Sequence, residues 1–302
     1  MKIAVDFPSV AYREGPEQVL ALATAIEQIG YDEIAAFDHV VMGYPQEQRR
    51  TIYPAEMPVL EALILLANVA AVTSRVSLST EVLVLPQRQP VLVAKQVSTL
   101  DTLSRGRVRL GVGVGWQDSE YEALEENFTN RGKRMDEAID LLRRYWEGGR
   151  IEFRGEYYDS HDMGMEPVSP QGANIPIWVG GDSPAALRRT AQKGDGWMAS
   201  GVTDEQALLC RAEICRQAEQ FGRDPSQIGF QLMLQPPPRS DKDKLFYADL
   251  DSVAERAAVV RAMGFHWTSV NATAIFQAGA RSVDAMVEQL DLIHARIRNE
   301  VE

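Results

Sequence analysis

The chain has 302 residues, of which 45% are hydrophobic and 25% charged, and it carries a net charge of −12. That acidic balance argues against non-specific nucleic-acid binding, which depends on Lys and Arg neutralising phosphates; an anionic small molecule stays possible because backbone amides can hold it locally. The N-terminus starts directly as a strand with no apolar run suited to a signal peptide, and the most apolar stretch, Val59 to Val72, contains Glu61 and Asn68 and is too short to cross a bilayer.

Short β-branched runs alternate with longer helical ones, the rhythm of parallel βα units. A first strand at Lys2–Phe7 leads to a helix opened by Gly15-Pro16 and stopped at Gly30, with Val19, Leu20, Ala23 and Ile26 on one face. The second strand, Glu33–Phe37, is followed by a loop containing Tyr44-Pro45 and Tyr53-Pro54 and by a helix at Val59–Val72. The third, Val76–Leu83, precedes a helix from Pro90 to Leu103, and the fourth, Val108–Val114, reaches a helix at Arg131–Trp146 through a polar, acidic connection. Gly149–Asn174 reads as an insertion with short strands at Ile151–Phe153 and Glu156–Tyr158.

The second half continues the pattern: strand Ile177–Val179 with helix Pro184–Lys193, Gly196–Ala199 with Asp204–Phe221, Ile228–Leu234 with Ser252–Met263, and Trp267–Asn271 with Val283–Arg298. Eight such units match an α/β fold of the (β/α)8 TIM-barrel type with insertions, although an open doubly wound sheet also alternates in this way. No composition break divides residues 1–302, which read as one domain. Cys210 and Cys215, five apart on a helix, face different sides, so neither a bridge nor a shared metal is expected, and a reduced, cytoplasmic setting is the simple reading.

In a barrel the chemistry gathers at the C-terminal strand ends. Strand two ends in Asp38-His39, strand three in Thr80-Glu81-Val82, strand four in Gly111, Gly113, Gly115 and Trp116, strand five in Gly180-Gly181-Asp182-Ser183, and strands seven and eight offer Gln231 and Asn271. The imidazole of His39 can exchange a proton near neutrality while a hydride moves, with Asp38 orienting a ligand or the ring; the alternative is a purely structural pair. The amides around Gly180-Gly181-Asp182-Ser183 can cradle a phosphate, yet Asp182 or Ser183 before Pro184 equally suits an ordinary helix cap. The run Leu110–Trp116 lacks the third spacing of a dinucleotide-binding turn, and its alternating glycines signal close backbone approach or a bend. His161, His266 and His294 stand apart, and no zinc spacing occurs, so no metal site is expected. Trp116 and Tyr121 are candidate pocket residues, whereas Trp146 suits packing.

Taken in order, these segments resemble the luciferase-like monooxygenase superfamily, and within it the F420-dependent oxidoreductases. They are Phe37-Asp38-His39-Val40, Ser79 through Pro86, Pro90 through Gln96, Thr99-Leu100-Asp101, Leu103 through Arg107, Leu110–Trp116 with Glu120 through Leu124, Arg131 through Arg134 with Glu137, Pro176 through Gly181, and Gly194 through Trp197. They cover most of the chain. The resemblance implies a barrel with insertions, often assembled as a homodimer, with the cofactor ring over the strand ends. It makes His39 the proton-handling residue and Asp38 a cofactor contact. It puts a bulge with a non-prolyl cis peptide at Glu81-Val82, next to Thr80, where many relatives have a small first residue and this chain departs with Glu81. The phosphate site falls on Gly180, Gly181, Asp182 and Ser183.

Sugar-phosphate-oxidising relatives place a catalytic Glu soon after the fourth strand, where this chain has Trp116, with Ser119 and Glu120 nearby; the departure speaks against that activity. The resemblance therefore implies hydride transfer between coenzyme F420 and a small organic substrate, with Arg49, Arg50, Arg88 and Lys95 as candidates for the cofactor's acidic tail. The alternative is an FMN-dependent two-component monooxygenase supplied by a partner reductase. The loops Gly43–Met57, Gly149–Asn174 and Gln235–Asp249 are expected to shape the substrate pocket.

Overall fold

The strand runs close on themselves. In a computed structural model, which describes residues 1–47, 51–235 and 243–301, the strands are β1 (Lys2–Asp6), β2 (Glu33–Ala36), β3 (Ser77–Thr80), β4 (Leu83–Val84), β5 (Val108–Gly113), the hairpin pair β6 (Ile151–Arg154) and β7 (Asp159–Met163), then β8 (Ile177–Gly180), β9 (Gly196–Ala199), β10 (Gly229–Met233) and β11 (Trp267–Asn271). β1 pairs with both β2 and β11, and the ring runs on through β10, β9, β8 and β5 to β3, every pairing parallel. An open sheet is thereby excluded.

Around the barrel lie α1 (Pro16–Ile29), α2 (Ala62–Val72), α3 (Pro90–Ser104), the short α4 (Asp118–Ala123), α5 (Arg131–Trp146), α6 (Pro184–Lys193), α7 (Asp204–Gln220), α8 (Leu250–Ala262), the short α9 (Ala272–Ala278) and α10 (Val283–Val301). None of the described helices is long and apolar enough to cross a membrane. Odd and even positions of each strand divide between two faces. Ile3, Val5, Leu78, Leu110, Val112, Ile177 and Val179 are buried in the apolar shell shared with the helices. In α1 the buried face is Val19, Leu22, Ala23 and Ile26, so Leu22 rather than Leu20 completes the stripe.

The expected third strand is interrupted. It breaks at Glu81-Val82, whose peptide is cis, and resumes as β4. The facing strand explains how the break fits. A Cβ on Gly111 would lie 2.0 Å from the Thr80 carbonyl oxygen, one on Gly113 2.6 Å from Val82 Cγ2, and one on Gly115 2.7 Å from Val84 Cγ1. Alternate residues share a strand face, so positions 111, 113 and 115 present bare backbone to positions 80, 82 and 84.

The insertion also differs from its expected form. Glu156–Tyr158 is the turn of the hairpin, and the second strand begins at Asp159. The Glu137 carboxylate on α5 explains this, because it accepts the backbone N–H groups of Glu156, Tyr157 and Tyr158 at 2.9, 2.9 and 2.6 Å and so withdraws them from strand pairing. The helix expected from Val59 starts at Ala62, where the Glu61 carboxylate caps it by accepting the Ile64 N–H at 2.8 Å.

A Gly111→Ala substitution forces a methyl group onto a backbone carbonyl. It is expected to destabilise the fold by at least about 1–3 kcal/mol, the usual cost of overpacking. Gly164→Ala, where a Cβ meets nothing within 4 Å, should stay within about 0.5 kcal/mol of the parent. Urea denaturation of the two variants checks the contrast.

Candidate active site

A cavity of about 620 Å³ opens at the C-terminal strand ends, a size typical of small-molecule and cofactor sites. Its wall brings together Asp6 from the end of β1, Phe37 after β2, Glu81 and Val82 from the β3–β4 break, and Gly180 and Gly181 at the end of β8. Met198 and Met233 add soft apolar surface, and Arg13 and Arg281 bring cations to the rim. Of the three loops expected to shape the pocket, Tyr53, Pro54, Glu56 and Met57 of the first and Gln235 at the start of the third line it. The 149–174 insertion does not. Its hairpin packs on α5, where Tyr145 and Ser160 hydroxyls bond at 2.9 Å. The fourth side comes from α9 through Thr273, Ala274, Phe276 and Gln277, an element absent from the sequence reading.

His39 sits just behind this wall, buried, with its ring edge-on to Phe37 at 5.1 Å, Tyr53 at 5.9 Å and Trp116 at 5.5 Å. Its Nδ1 lies 3.1 Å from Glu120 Oε2. Glu120 is itself buried on α4, and its Oε1 accepts the Val40 and Val41 N–H groups at 2.5 and 3.3 Å. Burial alone would raise the Glu120 pKa, but the hydrogen bonds from His39 and the Val40 amide outweigh it and hold the carboxyl below the usual range. An ionised Glu120 calls for the proton on Nδ1, which leaves Nε2 as the basic ring atom. Glu120 thus orients His39 from a segment that reads in sequence only as a polar connection.

Asp38 points elsewhere. It is buried, and Arg88 grips it with two hydrogen bonds of 2.9 and 2.7 Å while the Val84 N–H donates at 2.8 Å. Burial raises its pKa, and Arg88 and the Val84 amide oppose that rise. Asp38 therefore ties the end of β2 to β4 and the segment that follows it, and does not line the cavity. The same contact takes Arg88 away from any ligand tail, and Lys95 donates to the Glu166 carbonyl. Arg49 and Arg50 lie outside the described residues.

Thr80 is buried and donates to the Gly111 carbonyl at 2.6 Å, fixing the strand end. A Cβ on Gly180 would come within 3.1 Å of Val82, and Gly181 takes a positive φ of 100° while its carbonyl accepts the Trp197 indole N–H at 2.8 Å. Asp182 is exposed, and Ser183 caps α6 by accepting the Ala186 N–H at 3.2 Å, so the helix-cap reading of this turn is realised alongside its place on the cavity. Trp116 is half-exposed beside His39, whereas Tyr121 and Trp146 are buried with their polar tips on the Val114 and Ala94 carbonyls. Among the described residues no group of His, Cys, Asp and Glu is arranged to hold a metal ion.

Beneath the cavity the barrel interior is polar. Arg109 from β5 lies between the rings of Trp178 and Trp267, 4.2 and 4.3 Å from their centroids, and forms a buried pair with Glu33. It also donates to Gln231 at 2.7 Å; Gln231 in turn donates to Glu81 at 2.8 Å, and Ser269 donates to the other Glu81 oxygen at 3.0 Å. Bare backbone at Gly196 and Gly229 makes room for Trp178, which a Cβ at either would meet at 2.2 or 2.3 Å. Asp6 was not singled out in the sequence, though the rule that polar residues at barrel strand ends carry chemistry points to it as readily as to His39.

The match to the luciferase-like monooxygenase model runs over residues 3–295. An uncharacterised protein of Mycobacterium tuberculosis is 36% identical over 211 residues, 68% of this chain and 72% of the relative. The F420-dependent hydroxymycolic acid dehydrogenase of the same organism is 30% identical over 239 residues, 78% of this chain and 62% of that longer protein. Among solved structures, the monooxygenase RslO1 from Streptomyces bottropensis superposes with a TM-score of 0.82 at 19% identity, covering all of both chains. The closed barrel, its broken third strand and the matched length define one class of protein. The chain belongs to the luciferase-like monooxygenase family, and it is an oxidoreductase.

Replacing Arg88 with Met leaves the buried Asp38 carboxyl with the Val84 N–H but without its cation, a change expected to cost about 3–5 kcal/mol of stability. The double variant Asp38→Asn/Arg88→Met should lose less than the single one. Denaturant midpoints of the three proteins measure the difference.

Proposed function

We propose that this chain is a coenzyme F420-dependent oxidoreductase that moves a hydride between the deazaflavin and a small organic substrate. The observation carrying this reading is the convergence of Phe37, Glu81, Val82, Gly180 and Gly181 on one cavity, with His39 held behind it by Glu120. The similarity to an F420-dependent dehydrogenase supports the deazaflavin over a flavin. The site's chemistry fits such a group. The β3–β4 break and the apolar wall suit a flat ring, and the volume accommodates one. The amides at the start of α6, near Gly181, Asp182 and Ser183, suit a phosphate, and Arg13 and Arg281 replace Arg88 and Lys95 as cations for an acidic tail.

When bound, the deazaflavin supplies the hydride chemistry. The protein's own part begins with His39, whose Nε2 takes or returns the accompanying proton while Glu120 stabilises the imidazolium that forms. Phe37, Tyr53 and Trp116 pack edge-on around the imidazole and fix its plane. Trp116 stands where sugar-phosphate-oxidising relatives need a carboxylate, which together with the aromatic wall favours an apolar substrate.

Purified apo-protein is expected to bind F420 and to show no comparable affinity for FMN in equilibrium titrations. The opposite preference would replace this reading with an FMN-dependent monooxygenase served by a partner reductase. His39→Ala should lower turnover about 10²–10⁴-fold, the usual share of general acid–base catalysis, with cofactor affinity changed only a few-fold. Glu120→Gln should lower turnover less and displace the pH profile, because it acts through His39. Unchanged turnover in His39→Ala would remove the assigned role.

A further inference from the structure

Three carboxyl groups share the barrel interior with one guanidinium. Glu33 has Arg109, and Glu81 has the Gln231 amide and the Ser269 hydroxyl. Asp6 has no donor of its own, because the Ser269 hydroxyl beside it is committed to Glu81. It lies at the end of β1, is 8% exposed and lines the cavity, and both its carboxylate oxygens are buried without a hydrogen-bond donor.

What faces Asp6 is the Glu81 carboxyl, and burial together with the Glu81 charge drives its pKa well up. The other titratable or charged groups around it are Glu33 on β2 and Tyr247 ahead of α8, with Arg13, Glu56 and Arg281 elsewhere on the cavity wall. Arg109 lies on the Glu33 side of the network. Two ionised carboxylates side by side with no cation between them repel, whereas one proton between them satisfies an oxygen of each.

We propose that Asp6 and Glu81 together hold a single proton at neutral pH, with Glu81 the ionised member between its two donors and Asp6 the protonated one, and that on ligand binding the Asp6 O–H turns from Glu81 to an acceptor atom, a carbonyl oxygen or ring nitrogen, of the ligand in the cavity. This gives the cavity a second proton-handling site, independent of His39. The inference holds whichever ring cofactor the cavity takes, so measurement on the unliganded protein separates its failure from that of the F420 reading.

The first test is infrared spectroscopy of apo-protein labelled with ¹³C at the aspartate carboxyl. A protonated-carboxyl band is expected to persist at neutral pH and to vanish in Asp6→Asn. It should retreat to lower pH in Glu81→Gln, which replaces the repelling charge with an amide.

The second test is stability against pH. A carboxyl with a raised folded pKa favours the fold fully below its unfolded value of about 3.9, and that contribution is lost as pH rises toward the folded value. The melting temperature of Asp6→Asn relative to the parent should therefore climb with pH from about 4 upward. A spectrum with Asp6 ionised at neutral pH, or a melting difference that stays flat, would overturn the shared proton. A band that does not move when F420 or FMN is seen to bind would overturn the donor role.

Discussion

The architecture depends on one close approach, the bare face of β5 against the break between β3 and β4. Gly111, Gly113 and Gly115 bring backbone to where side chains would otherwise stand, and Thr80, Val82 and Val84 fill that space. The approach lets the third strand break and resume without losing its neighbour, since β3 and β4 both pair with β5. It also turns Glu81 and Val82 into cavity wall. The same glycine economy recurs across the barrel, where Gly196 and Gly229 admit Trp178 and so let Arg109 lie between two indoles. Arg109, Glu33, Gln231, Glu81 and Ser269 form a continuous hydrogen-bonded chain in the polar interior, which offsets part of the cost of burying these groups.

Two groups of titratable side chains flank the cavity, and they are built differently. His39 is aimed by a carboxylate that also ties down the Val40 and Val41 amides, so the ring is fixed together with the loop that carries it. Asp6 is placed by strand register alone and left with another carboxyl for company. The first arrangement suits a positive charge on the ring; the second leaves a carboxyl buried without donors. Asp38 belongs to neither. Its pairing with Arg88 joins β2 to the segment after β4 and holds the two walls in register.

The sequence by itself determined the order of βα units, the strand ends, the glycine rhythm of β5 and the family resemblance, because these rest on local periodicity and on side-chain size. It did not reach the partners. Asp38-His39 reads as one functional pair, yet adjacent residues of an extended segment face opposite ways, and the two side chains diverge, Asp38 to Arg88 and His39 to Glu120. Glu120, 81 residues along the chain from His39, and the Glu81 that meets Asp6 are neighbours only after the barrel closes. Likewise, nothing local distinguishes Arg88, neutralised by a buried carboxylate, from Arg13 or Arg281 on the cavity wall. Charge pairing across strands is a property of closure, and closure is set by the whole ring of strands rather than by any segment of it.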